Sequence, residues 1–390
     1  MTMAAPTPRI AIVGAGIGGL ATAIALRLRG LHAEVFEAAD TLRPVGAGIL
    51  LQPNAMKVLA RLGLADAVEH VGIPLGRAGV WDAEDLARGP LQEIDMDAIA
   101  RRHGTRTIAL LRSALQDVLL GALRDPPRLG CRCARVESMP TGRLRVHFNS
   151  GAVEEADVVI GADGVRSAVR ASIFPALRLR YSGQTSWRGI VNVEPATDPG
   201  TAYEYWSGGF RLGFARVAPG RTYWFTALDA PEGERGDPVE ELAMLRVLAR
   251  RFPAHVDDLL ADTEPSAVTR TDLHDLMPPR EWSRGQVVLL GDAVHATTPN
   301  LGQGGAQALE DALALADAIA AHGPGPRAFT AYRRVRRTKT ASVVRSSWWT
   351  GKAGHIRNPL VRRVRNFVMR NAPDSVVMRQ LDAIYTVAPT

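Results

Sequence analysis

Three glycine-rich stretches hold the residues that could do chemistry. Gly14-Ala15-Gly16-Ile17-Gly18-Gly19 sets Gly14, Gly16 and Gly19 at G-x-G-x-x-G spacing, directly after an apolar run. Glycines so placed permit a tight turn and let backbone N–H groups at a helix N-terminus approach a pyrophosphate. Glu37 follows a second apolar run, where a carboxylate can accept hydrogen bonds from ribose hydroxyls. The spacing occurs once, so one dinucleotide has a dedicated site. The second stretch, Val158-Val159-Ile160-Gly161-Ala162-Asp163-Gly164-Val165-Arg166-Ser167, puts an acid in a turn near Arg166 and Arg170. Alone it reads as a strand–turn–helix with Asp163 as a cap. The third runs from Leu290 through Gly291, Asp292 and His295 to Pro299, Gly302, Gln303, Gly304 and Gly305. Asp292, at a strand end, can bind hydroxyls. The free N–H groups of the helix that follows can stabilise a developing anion. Its glycines let a flat ligand lie on the backbone, and His295 reads as a structural loop histidine.

The surrounding pattern supplies elements to position these groups. Strands are expected over 9–13, 33–36, 143–148, 158–160 and 286–290, and helices over 19–29, 54–62, 113–123, 239–251 and 305–321. Residues 72–106 are ambiguous apart from a strand at 79–81. Short alternating segments rich in aromatics fill 184–228 and predict an antiparallel sheet. Everything after 328 looks helical. The fold class is therefore α/β, a Rossmann-like nucleotide-binding domain interrupted by a β-sheet domain, with a helical basic C-terminus. The expected division is 1–72, 107–174 and 278–345 for nucleotide binding, 73–106 and 175–277 for substrate, and 346–390 for C-terminal helices.

Composition narrows the function. In 390 residues, 46% hydrophobic and 22% charged residues exclude disorder, collagen and coiled coil. Cys131 and Cys133 are too few for a disulfide framework or a four-ligand zinc site, so no metal is expected and the compartment reads as reducing and cytoplasmic. No apolar run approaches the ~20 residues of a membrane span. The N-terminus lacks a signal-peptide core. From His322 onward there are fourteen Lys or Arg against two Asp, although the whole chain is only +7. The body is thus mildly acidic and the tail basic.

In order and spacing, the three motifs resemble those of single-component FAD-dependent monooxygenases of the p-hydroxybenzoate hydroxylase type, over about positions 9 to 370. Within that type the chain more closely resembles the urate and salicylate hydroxylase-like and zeaxanthin epoxidase-like members. Pro44-Val45-Gly46-Ala47-Gly48-Ile49, Gln52-Pro53-Asn54-Ala55 and Leu111-Arg112-Ser113-Ala114-Leu115 fit the same pattern. The resemblance implies an FAD site drawn from Gly14, Gly16, Gly18, Gly19, Glu37, Ala38, Arg43, Gly48, Arg112, Val136, Asp163, Asp292, Pro299, Gly302, Gln303, Gly304 and Gly305. The first motif would grip the ADP part, the Asp163 turn would serve FAD and the pyridine nucleotide, and the Asp292 stretch would hold the ribityl chain and ring. Residues 43–50 would lie along the isoalloxazine. It further implies that NADH or NADPH binds transiently and reduces FAD, and that O2 then forms a C4a-hydroperoxide that oxygenates an aromatic or unsaturated small molecule. Arg211 and Tyr223 fall where urate hydroxylase-like members place substrate residues.

Alternatives remain at this level. The same chemistry could epoxidise or hydroxylate an isoprenoid or polyketide, or the chain could be a non-catalytic flavin-binding redox sensor or partner subunit. A halogenase would need a Trp-x-Trp-x-Ile-Pro segment and a lysine near the flavin, yet no lysine lies between Lys57 and Lys339. Cys-x-x-Cys is absent, which excludes a disulfide reductase. The aromatics between Trp187 and Phe225 fill a sheet core on one reading and line a pocket on the other. In the C-terminus, Leu360, Val361, Val364, Phe367 and Val368 recur at helical spacing. That segment either packs on the body, its arginines toward solvent or the acidic body, or docks on an anionic membrane surface. Nucleic acid is not expected as a partner, and the protein is read as a monomer or homodimer.

Overall fold

The computed structural model describes residues 8–42 and 47–388. The candidate Arg43 lies outside them.

Strands Ile10–Val13, Val158–Gly161 and Val287–Leu289 are apolar throughout and buried on both faces, as parallel strands covered by helices must be. They join Ala33–Phe36 in a sheet whose order is Ser283–Arg284, Val287–Leu289, Val158–Gly161, Ile10–Val13, Ala33–Phe36. All neighbours are parallel except the short first pair. Helix Ile17–Arg27 packs on helix Gly304–His322. A Cβ on Gly18 would lie 2.7 Å from Leu290 and 3.2 Å from the Ala308 methyl, so the bare backbone permits this approach.

A seven-stranded sheet forms the second body, ordered Thr269–Leu276, Leu179–Val191, Arg221–Asp229, Phe210–Ala218, Thr201–Ser207, Arg77–Asp82, Gln92–Asp95. The ambiguous stretch 72–106 thus supplies two of its strands, and Arg77–Asp82 runs parallel to Thr201–Ser207. Strand alternation divides the aromatics between the two faces. Trp187, Tyr205, Phe210, Phe214 and Trp224 pack on helices Pro238–Ala249 and Ala254–Ala261 in a core of their own. Arg188, Phe225, Gly213 and Glu204 are directly opposed across strands on the other face, flanked by Tyr223 on one side and Arg211 and Trp206 on the other. The core reading holds for the first face, and the second is turned away from that core. A small sheet of Gly48–Leu51, Thr107–Leu111 and Ile73–Leu75 sits between the two bodies.

The C-terminus forms helices Pro326–Gly354, Pro359–Arg370 and Asp374–Tyr385. The second packs on the body through its polar side: Asn366 is buried against Asp82, and Arg362 pairs with Glu84. Its apolar row points outward. Helical spacing defines such a stripe but not which side meets the protein.

Candidate functional site

The parallel strands end in register. Val13 is opposite both Gly161 and Phe36, and Gly161 is opposite Leu289. Each of the motif turns leaves from one of these ends, so all converge on one edge of the sheet, where open α/β sheets bind ligands. Gly14 has φ +109, a conformation strained for any side chain, and its N–H donates to the Phe36 carbonyl at 2.7 Å. A Cβ on Gly19 would collide with the Gly14 carbonyl, whereas nothing lies within 4 Å of one on Gly16. That open side faces a cavity of about 590 Å³ lined by Gly16, Glu37, Asp40, Arg112 and Gln116, among others. Glu37 is held in place by two backbone donors, Ala15 N–H at 2.8 Å and Ala39 N–H at 2.9 Å, one to each oxygen. Each oxygen keeps acceptor capacity toward the cavity. Gln116 escaped the sequence reading. Its spacing of four from Arg112 on helix Arg112–Gly121 was the available signal, because such residues share a helix face.

Ala38 and Val136 are not among the lining residues. The Val136 N–H donates to Ser172 Oγ at 3.0 Å. Asp163 caps the helix after its turn, accepting from Ser167 Oγ at 2.5 Å and Val169 N–H at 3.0 Å, while burial pushes its carboxyl pKa up. Arg170 connects this turn to the third motif: its guanidinium donates to the Val165 carbonyl at 2.7 Å and the Ala293 carbonyl at 3.0 Å.

Asp292 is exposed at this edge; its main-chain oxygen accepts from Arg170, and its carboxylate has no hydrogen-bond partner among the described residues. Crowding by the surrounding protein strips hydration from the carboxylate and raises its pKa against the opposing charges of His295, Arg112 and Arg170. A Cβ on Gly304 would come 3.8 Å from its Oδ1, so the N-terminus of helix Gly304–His322 adjoins the carboxylate. The first amides of that helix lack acceptors within it. Pro299–Leu301 forms a short turn, and Gly302 follows at φ +63. Gln303 is buried, its amide oxygen accepting from Asn54 at 2.9 Å and Gln307 at 2.8 Å, so its side chain is committed inside the protein. Beneath the loop, Asp311 accepts from Gly291 N–H at 2.9 Å, Arg336 Nε at 2.7 Å and the buried His295 at 2.5 Å. Glu310 pairs with Arg336 and Lys339 and accepts from Asn54 at 2.7 Å. His295 thus lies in a buried ion network.

A Cβ on Gly305 would meet Ile49 at 3.0 Å, and one on Gly48 would meet the Tyr223 ring at 2.5 Å. These glycines bring helix N-terminus, strand Gly48–Leu51 and large sheet together. Tyr223 stacks beside Phe225 at 6.2 Å, and burial raises its hydroxyl pKa. Arg211 is only 1% exposed. Its Nε donates to Glu204 at 2.7 Å and its Nη1 to Asn300 at 2.7 Å, which neutralises its charge and joins the sheet to the loop. Arg188, opposite Phe225, donates to Ser186 Oγ at 3.3 Å and has no carboxylate partner among the described residues.

A family model described as an FAD binding domain matches residues 7–347. The Aurachin C monooxygenase/isomerase of Stigmatella aurantiaca is 36% identical over 364 residues, covering 93% of each chain. The 2-heptyl-3-hydroxy-4(1H)-quinolone synthase of Pseudomonas aeruginosa is 33% identical over 386 residues, covering 97% of each. Among solved structures, Klebsiella pneumoniae HpxO complexed with FAD and uric acid matches with a TM-score of 0.90 at 28% identity, over 98% of this chain and 97% of that one.

Proposed function

The chain belongs to the FAD-dependent monooxygenase family of hydroxylase type, and we propose that it hydroxylates a flat, uncharged heteroaromatic ring, consuming NADH or NADPH and O2. The observation that carries the substrate class is the pairing of Arg211 with Glu204. A neutralised guanidinium is a poor anchor for a carboxylate. Between Tyr223 and Arg211 this face carries the Phe225 ring and the bare backbone of Gly213, and it leaves Arg188 to donate a hydrogen bond to a single ring oxygen.

The residues present fit FAD. The open side of Gly16 can take the pyrophosphate, Glu37 the ribose, and the unpartnered Asp292 the ribityl hydroxyls. Bound FAD supplies, with reductant and O2, the electrophilic oxygen that the ring accepts. The chain's own contribution is position and field. The N-terminal amides of helix Gly304–His322 favour negative charge gathering beside them. Tyr223 and Phe225 hold a ring flat, and Pro299 and Asn300 close the loop side against water.

Asp292→Ala should raise the Kd for FAD roughly tenfold to a hundredfold, the loss of about 1.5–3 kcal/mol in a charge-assisted hydrogen bond. The apoprotein should melt no lower than wild type, because the carboxylate has no protein partner to lose. Titration of apoprotein with FAD reads the first, and thermal melting the second.

Turnover tests the substrate class. Neutral bicyclic heteroaromatics should accelerate flavin reduction and acquire one atom from heavy-isotope O2, while their carboxylated analogues should do neither. Arg188→Met should raise KM for the neutral substrate on the order of tenfold. Preferred turnover of the carboxylated series would overturn the reading.

A further inference from the structure

Helix Pro359–Arg370 is mounted with its sides reversed. Arg362, Arg365, Asn366 and Arg370 turn toward the protein, where they meet Glu84, the Ala353 carbonyl, Asp82 and Asp85. Arg365 also lies over the Trp206 ring at 4.9 Å. The opposite side presents Leu360, Val361, Val364, Phe367 and Val368, each between 50% and 68% exposed. Five contiguous apolar side chains on one helix face are not the scattered exposure of an ordinary surface.

We propose that this face docks the protein on an anionic phospholipid bilayer. The helix contains four arginines and no acidic residue. Arg363 is exposed beside the apolar row and has no carboxylate partner among the described residues. A row of apolar side chains beside the single unpaired cation Arg363 fits the boundary between acyl chains and anionic headgroups. It fits a second copy of the chain poorly, because a two-fold contact of this face would bury Arg363 with no carboxylate on either helix to meet it. No helix among the described residues is long and apolar enough to cross a membrane, so attachment is to one leaflet. The helix leans on Trp206 and Asp82 of the large sheet, so docking sets the substrate-facing sheet close to the lipid. An apolar substrate could then pass from bilayer to site without crossing bulk water.

The test is flotation of the full-length, FAD-loaded protein with vesicles. Wild type should float with phosphatidylcholine vesicles containing phosphatidylglycerol and only weakly with phosphatidylcholine alone. The double substitution Val364→Ser and Phe367→Ser should reduce binding to the anionic vesicles at least tenfold, since each removes apolar area from the acyl boundary. Arg363→Glu should reduce it less, and both variants should keep wild-type melting and flavin absorbance. Failure of wild type to float, equal binding to both vesicle types, or full binding by the double variant would each overturn the proposal. So would a concentration-dependent dimer abolished by the double substitution, without lipid binding.

Discussion

Gly19→Ala should yield a protein that holds little or no flavin and melts lower than wild type by roughly 5 °C, while Gly16→Ala should melt as wild type and lose only flavin affinity. The difference follows from where the added methyl goes. At Gly19 it would enter the Gly14 carbonyl, so helix Ile17–Arg27 would have to lift away from the turn that it caps. Strain against backbone relaxes poorly, and overpacking costs about 1–3 kcal/mol even where side chains can yield. The same lift moves the helix N-terminus from the place where a pyrophosphate would sit. At Gly16 the methyl meets no protein atom within 4 Å and instead projects toward the cavity. Apoprotein melting and FAD titration of the two variants separate these effects. Wild-type FAD affinity in Gly19→Ala would sink the account of this turn.

Asp311→Ala should be the most damaging single change, at about 3–5 kcal/mol, because it removes one of the two carboxylates around the buried Arg336 and leaves the buried His295 without its hydrogen-bond partner. Arg336 would keep Glu310, but the Gly291 N–H would lose its acceptor, and the Asp292 turn would loosen with it. Flavin retention should fall together with melting temperature. A pH dependence accompanies this. Burial opposes ionisation of Asp311, yet His295 and Arg336 more than offset it and bring its pKa down to about 2 from an ordinary 3.8. The unfolded chain therefore takes up this proton more readily than the folded one. The stabilisation is complete above about pH 4 and is lost as pH falls through about 2. Asp311→Asn should flatten that part of the acid-unfolding curve. An unchanged curve, with unchanged melting at neutral pH, would show that the pair contributes nothing.

The common edge of the three motif turns was legible in sequence because its logic is local. A strand end, a glycine turn and an acid lie within a few residues of each other, and parallel pairing in register carries all of them to one edge. Side-chain partnerships between distant segments were not legible. Asn54 meets Gln303 and Glu310, and Arg211 finds Glu204 across one strand pair and Asn300 from another body. Nothing in the spacing of Arg211 says that its charge is already matched. The C-terminal helix shows the same limit: periodicity marks two faces, and only the carboxylates Asp82, Glu84 and Asp85 on the body decide which is turned inward.

One strand pairing bears on how this protein can be recombined with its relatives. Arg77–Asp82 lies in parallel register with Thr201–Ser207, Thr201 beside Arg77 and Trp206 beside Asp82, and Gln92–Asp95 extends that edge. The seven-stranded sheet is therefore not a contiguous cassette. Its edge is encoded upstream of the Asp163 turn and its centre downstream. A chimera with a single crossover anywhere between residues 96 and 200 takes the two sides of this seam from different parents. Residues 77–95 and 201–229 form one unit of inheritance, and shuffled libraries that exchange them together should retain folded members far more often than those that exchange either alone.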